Sequence, residues 1–176
     1  MQKFKLYLIF SIIVTVTAAG LCHAISNPKI TPLTPGVQAI MFSKMFSYIS
    51  LYEKSKPKIL VVYEKTDNSA SVMSEAFERE GIESTIAEVE LLPDLINKYS
   101  VIYLTKGLSI SKLKKYLKGT HILTLSGDPD DVLSGEASIS VGLEKNKPKI
   151  IINYAQLQRE SCQISAELFN LALVIR

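Results

Sequence analysis

The chain has 176 residues, with 20 Lys and Arg against 17 Asp and Glu, and 47% of its residues are hydrophobic. That length suits one domain around one core, and the net charge of +3 lacks the clustered cations that neutralise nucleic-acid phosphates, so no nucleic-acid partner is expected. Two histidines and two cysteines, one of each before residue 24, leave too few ligands for a zinc site.

Residues 1–24, MQKFKLYLIFSIIVTVTAAGLCHA, place Lys3 and Lys5 before an apolar run over residues 6–19 and end in small residues up to Ala24. This is the order of a secretory signal peptide, cleaved after Ala24; the run is shorter than the ~20 apolar residues of a spanning helix. Leu21 before Cys22 argues against lipoprotein processing, which wants a small residue there. Left uncleaved, the segment would be a membrane anchor. Residues 25–36, with prolines at 28, 32 and 35, read as an extended linker. Residues 37–176 read as one α/β domain. After cleavage Cys162 has no partner for an internal disulfide, so stability must come from the core. A small buried side chain is its expected role.

From Thr34 a capping residue and Pro35 predict a helix running to Tyr52, with a main apolar stripe of Val37, Ile40, Met41, Met45, Tyr48, Ile49 and Tyr52. Phe42 and Phe46 widen that face beyond what one sheet requires. Facing solvent, they and Met45 would form a partner interface. KILVVY over residues 58–63 is a continuous β-branched run, the pattern of a strand covered on both faces and therefore paired in parallel. A polar loop, a helix around Met73 and Phe77 stopped at Gly81, and a strand over residues 82–89 follow. Then come a short helix in LLPDLINKY, a buried strand VIYLT, a helix SISKLKKYLKG ended by Gly119, and a third buried strand HILTL. This βαβαβα alternation predicts a three-layer sandwich with a mostly parallel central sheet. An antiparallel hairpin, residues 137–143 and 149–153, turns at EKNK, and two helical pieces, YAQLQRE and SAELFNLALVI, close the chain. In the first hairpin strand Ala137, Ile139, Val141 and Leu143 alternate with Ser138, Ser140 and Gly142, which predicts one polar face and a place near a sheet edge.

In open α/β sheets ligands gather at the carboxyl ends of the strands, and three loops are expected there. Residues 65–71 supply Asp67, Asn68 and Ser69 as anion-holding groups at a helix start, residues 105–109 are TKGLS, and residues 126–131 supply Ser126, Gly127 and Asp128. The carboxylates of SGDPDD fit either turn and cap roles or an oxygen-ligand cation site; turn and cap roles are favoured and no metal is assigned. His121 falls at the opposite, amino end of its strand and reads as structural. Asn153, ending the last hairpin strand before YAQLQ, fits a helix cap better than a site. No nucleophile–base pair, P-loop or dinucleotide fingerprint is present, so no cofactor and no enzymatic activity are expected.

The last third of the chain resembles the YfiR-like family of small exported proteins. The resemblance rests on Leu123, Thr124, Leu125 and Ser126 at the end of a strand, Gly135 in a turn, Ile139 to Leu143, Ile152 with Asn153, and Ser165 with Leu168, Leu171 and Ala172 in the closing helix. It implies a periplasmic regulator without enzymatic activity that restrains an inner-membrane diguanylate cyclase by binding its periplasmic part, and so controls cyclic-di-GMP signalling. The expected partner is therefore the periplasmic domain of an inner-membrane sensor or cyclase, with a homodimer as a further possibility. The chain lacks the family's paired cysteines, and its usual double glycine is reduced to Ser134-Gly135. The competing reading is a periplasmic small-ligand-binding sensory or transport accessory domain that uses the three carboxyl-end loops.

Overall fold

In the computed structural model, residues 29–64, 68–108, 110–117 and 119–176 are described. The expected signal peptide, the first four residues of the expected linker (25–28), and Asp67 lie outside these residues.

The buried run at residues 59–63 forms β2 (Ile59–Tyr63), whose two faces feed two separate cores, Ile59 and Val61 on one side and Leu60 and Val62 on the other. It pairs in parallel with β3 (Ser84–Glu88) and with β4 (Val101–Leu104), and β4 pairs in parallel with β5 (Leu123–Ser126). β6 (Ile139–Glu144) joins β5 in parallel and turns back as β7 (Lys147–Asn153) in the antiparallel hairpin. The sheet order is β3-β2-β4-β5-β6-β7-β8, where β8 is Leu173–Ile175. Because the chain passes from β2 to β3 on one side and then to β4 on the other, its direction reverses between β2 and β4, at their carboxyl ends.

Helices cover both faces. α1 (Pro35–Phe46) and α2 (Ser69–Arg79) lie over the first core, where Phe42, Phe77 and Tyr103 pack as three rings with centroids 5.6–6.3 Å apart. α3 (Leu92–Leu95), α4 (Ile110–Leu117) and α5 (Pro129–Leu133) bring Leu92, Leu113 and Val132 to the second. α6 (Tyr154–Arg159) and α7 (Ala166–Leu171) return Leu157 and Leu168 to the first. The expected three-layer architecture with a mostly parallel sheet is the one observed.

Five sequence expectations need correction. Phe42, Met45 and Phe46 do not face solvent: they are 0%, 1% and 1% exposed, so none of them is available to a partner. The buried face of α1 is Gln38, Ala39, Phe42, Met45 and Phe46, and Val37 and Ile40 are the exposed pair. With apolar residues around most of the helix, periodicity alone could not orient it; the two largest rings take the interior because they remove the most apolar surface from water. The helix also stops at Phe46, after which a turn lets Ile49 bridge Ile164 and a single 3₁₀ turn holds Tyr52.

β6 is interior, not near an edge, and its serines are buried with its aliphatic residues. The segment read as a linker contributes β1 (Ile30–Pro32), antiparallel to β6 from Glu144 to Gly142, beyond the point where β5 ends. Gly142 permits that approach, since a Cβ there would stand 2.4 Å from Ile30 Cγ2 and 3.0 Å from the Thr31 carbonyl oxygen. The closing helical piece is also shorter than expected: α7 is followed by β8 (Leu173–Ile175), which pairs in parallel with β7.

Candidate functional site

Two places combine a hollow with converging polar groups. The first lies where the sheet order reverses. A cavity of about 170 Å³ there is lined by Leu33, Gln38, Ser69, Tyr103, Lys106 and Gly127, among others. Tyr103, the third residue of β4, projects into the first core and donates its hydroxyl to Gln38 Oε1 at 2.7 Å. Burial pushes the phenol far above its ordinary range, so it acts only as a neutral donor. Gln38 Nε2 donates to the Leu33 carbonyl at 2.8 Å and to the Gly127 carbonyl at 3.3 Å. The amide of Gln38 thus ties the start of α1 and the β5–α5 loop together inside the crevice.

The structure brings together two of the sequence-selected residues, Ser69 and Gly127, in this cavity. Gly127 is there for a packing reason: a Cβ would lie 2.4 Å from the Tyr103 hydroxyl. Asn68 is exposed at the start of α2, and its side chain makes no capping bond. Ser126 and Asp128 are committed within their own loop. Ser126 Oγ donates to Asp131 Oδ2 and accepts from the Asp128 N–H at 3.0 Å. Asp128 Oδ1 accepts from the Asp130 N–H at 3.1 Å, which makes it the N-cap of α5. Lys106 Nζ stands 3.9 Å from Asp128 Oδ2. Burial holds the Asp131 carboxyl above its ordinary range, against the Ser126 hydrogen bond and with the charges of Asp128, Glu136 and Asp130 adding to the shift. Among the described residues no group of three or more His, Cys, Asp or Glu side chains is placed to hold a metal.

The second place was not selected from the sequence. On the second face, β5 and β6 present Thr124, Ser126, Ser138 and Ser140 instead of aliphatic side chains, all at most 1% exposed. At the amino end of this polar seam sits Glu160, 5% exposed, just past the end of α6. Its Oε2 accepts the Thr124 N–H at 3.1 Å and the Ser138 hydroxyl; its Oε1 accepts the Thr124 hydroxyl at 2.6 Å and Gln156 Nε2 at 3.0 Å. The carboxylate does what a strand carbonyl would do where β5 and β6 are not yet paired. Desolvation raises its pKa, opposed by all four donors. Further along, Ser140 Oγ donates to the Ser126 carbonyl at 2.8 Å, and the seam ends at Asp131. Outside Glu160 a hollow of about 510 Å³ opens between Lys114, Leu117, Ile122, Glu136 and Arg159. Lys114 and Glu136 form an ion pair across it at 3.3 Å.

Asn153 is a peg at both ends. Its Oδ1 accepts the Gln156 N–H at 2.9 Å and caps α6, and its Nδ2 donates to the Val132 carbonyl at 3.1 Å. Cys162 is buried in the first core, and burial pushes its thiol up to about 12, which removes the thiolate needed for reactivity. The one sequence signal for these features was polarity in the wrong place. Gln38 interrupts an apolar helix face, and the serines of β6 mark a buried seam; nothing in RESCQ distinguished Glu160 from a surface acid.

A family profile described as YfiR/HmsC-like matches residues 36–173. No curated protein matches the chain. Among solved structures, it is similar to the ABC domain in complex with L-Trp from Streptococcus pneumonia, with 12% identity, a TM-score of 0.62, and coverage of 81% of this chain and 60% of that one. It is also similar to a conserved domain protein from Vibrio cholerae O1 biovar El Tor, with 14% identity, a TM-score of 0.63, and coverage of 82% and 61%. At these identities the likeness is one of fold. The chain spans about three-fifths of the length of each of those proteins.

Proposed function

The chain belongs to the YfiR/HmsC-like family, one of periplasmic regulatory proteins, and from that premise we propose that it is an exported, non-enzymatic repressor that binds the periplasmic part of an inner-membrane diguanylate cyclase and restrains cyclic-di-GMP synthesis. The observation that carries this reading is the extent of the family match, which covers the domain from the start of α1 to the start of β8. The side-chain chemistry supports it. The carboxylates of Asp131 and Glu160, the hydroxyl of Tyr103 and the amides of Gln38 and Asn153 are spent on holding one element to another. The partner-facing surface is assigned to the outward stripe of α1, Val37 and Ile40, with Val72 of the adjoining α2; these are 40–44% exposed.

The competing small-ligand reading draws on the fold shared with the L-Trp complex. Its natural site is the crevice between β2 and β4, but the Gln38 amide bridges it and its 170 Å³ fall below the ~300 Å³ at which small-molecule sites usually begin. Capture experiments separate the two readings. The exported protein should retain the purified periplasmic domain of a cyclase encoded beside it, and deleting its gene should raise cellular cyclic-di-GMP. Val37→Glu with Ile40→Glu should keep the circular-dichroism spectrum and lose that capture. Unchanged cyclic-di-GMP on deletion, together with no capture by the wild-type protein, would overturn the proposal.

A further inference from the structure

The β6–β7 hairpin ends in a concentration of positive charge that the fold does not use. Lys145, Lys147 and Lys149 lie on the turn and the first part of β7, and Lys29 immediately precedes β1. The register places them together: Ile30 is opposite Glu144, and Glu144 is opposite Lys147, so Lys29 and Lys145 continue past the same end of the sheet. With strands ~4.8 Å apart, the backbones of these four residues gather at one end of three neighbouring strands, and Lys147 and Lys149 lie on the same face of β7. Glu144 is the only acid in that set, and among the described residues none of the four lysines has a carboxylate within 4.0 Å, whereas Lys58, Lys106, Lys112 and Lys114 each face one.

Two further observations point to a purpose. Lys145 and Asn146 make the tight turn with φ of 49° and 62°. A two-residue turn with both φ values positive prefers Asn-Gly or Asp-Gly, and a lysine in its first position pays steric strain to present a charge at the tip. The second is chain direction. β1 runs antiparallel to β6, so the segment before Ile30 leaves the domain at this same tip. Nine residues, 20–28, lie between Ala19 at the end of the apolar run and Lys29, a reach of at most about 35 Å over ten residue steps.

We propose that the β6–β7 tip, Lys145, Lys147 and Lys149 with Lys29, is a docking face for an anionic lipid bilayer. In the uncleaved form, where residues 1–24 stay as a membrane anchor, the run holds this tip near a bilayer surface; in either form the lysines bind anionic headgroups within a Debye length. This surface uses none of the α1 and α2 residues assigned to the cyclase, so either assignment can fail without the other.

The test is cosedimentation of the full chain with vesicles of 3:1 phosphatidylethanolamine and phosphatidylglycerol, and with phosphatidylcholine vesicles as the uncharged reference. Binding should be stronger to the phosphatidylglycerol vesicles and should weaken as salt rises. A lysine near an anionic surface is worth about a fivefold factor, so Lys145→Glu with Lys147→Glu should weaken that excess binding at least 20-fold. The neutral pair Lys145→Asn with Lys147→Gln, whose first change suits the turn, should fold at least as well as wild type and still lose most of the excess. Lys44→Glu with Lys115→Glu, which changes net charge equally elsewhere, should leave it nearly intact. Equal binding to both vesicle types, or equal losses for the tip and control variants, would overturn the proposal. So would a tip variant that binds vesicles normally and fails only in capturing an acidic protein partner.

Discussion

Truncating Glu160 to alanine leaves four donors aimed at an empty place. The Gln156 amide can swing to water, because that side chain is only half-buried. The hydroxyls of Thr124 and Ser138 can rotate toward other acceptors at reduced quality, but the Thr124 N–H is fixed by the strand and buried. One stranded buried donor costs about 1–3 kcal/mol, and poorer bonds for two hydroxyls add about 1 more. Relief from desolvating the carboxylate offsets part of this. A net loss of about 2–4 kcal/mol follows, equivalent to a melting-temperature drop of roughly 5–12 °C for a domain of this size. Glu160→Gln keeps an acceptor for the Thr124 N–H and should cost less than about 1.5 kcal/mol at pH 7. The two variants also differ in pH dependence. Burial raises the folded pKa of Glu160 above its ordinary 4.5, so its favourable contribution is complete below 4.5 and is lost as pH rises through the raised value. Acidification from pH 7 toward 4.5 should therefore improve wild type relative to Glu160→Gln. Thermal and urea unfolding of the three proteins at several pH values measures both effects. An alanine variant within about 0.5 kcal/mol of wild type, or a flat difference between wild type and the glutamine variant, would refute the assignment of Glu160 as the clasp between β5 and β6.

Gly127→Ala should destabilise by about 2–3 kcal/mol, because its Cβ would collide with the Tyr103 hydroxyl. Adding Tyr103→Phe removes that oxygen and should recover part of the loss in urea unfolding, whereas two independent losses that simply add would contradict the clash. Cys162→Ser should fold, with a cost below about 3 kcal/mol. Because its thiol is buried and pushed up to about 12, an alkylating reagent should leave it unmodified in the native protein at pH 8 and label it in urea. Rapid native labelling would contradict the burial.

The parallel sheet was legible because ILVVY and VIYL are apolar on both faces and LTLS is a short β-rich run, and all three are buried. The caps Asp128 and Asn153 were also legible, since an Asx residue ahead of a short helix has a local job that needs no knowledge of the fold. What failed were the judgements of which side of an element faces the interior. The orientation of α1 depends on which stripe meets the sheet, and two stripes were apolar enough to do so. Ser138 and Ser140 alternate as a solvent face would, and their burial is met by Glu160, which arrives from beyond α6, and by the Ser126 carbonyl. β1 was hidden because three residues between prolines carry no strand signal of their own; a partner on β6 is what orders them. At the candidate site, the loops were placed at the correct end of the sheet, but the crevice they frame is bridged by Gln38, whose reach across to Gly127 no spacing rule reveals.

The pairing of β1 with β6 has a consequence for the order of events in folding. β1 is synthesised before any other strand or helix of the domain, yet its partners Gly142 to Glu144 emerge only after β2, β3, β4 and β5 have all been made. Contacts of such long sequence separation form late and slow the search. Until then the distal half of β6 offers unpaired backbone on the side β1 will occupy, and the segment before α1 has nothing to bind. Completion of the domain is thus a closing step in which the earliest strand returns to one of the last, and substitutions at Ile30 or Gly142 should speed unfolding more than they slow folding.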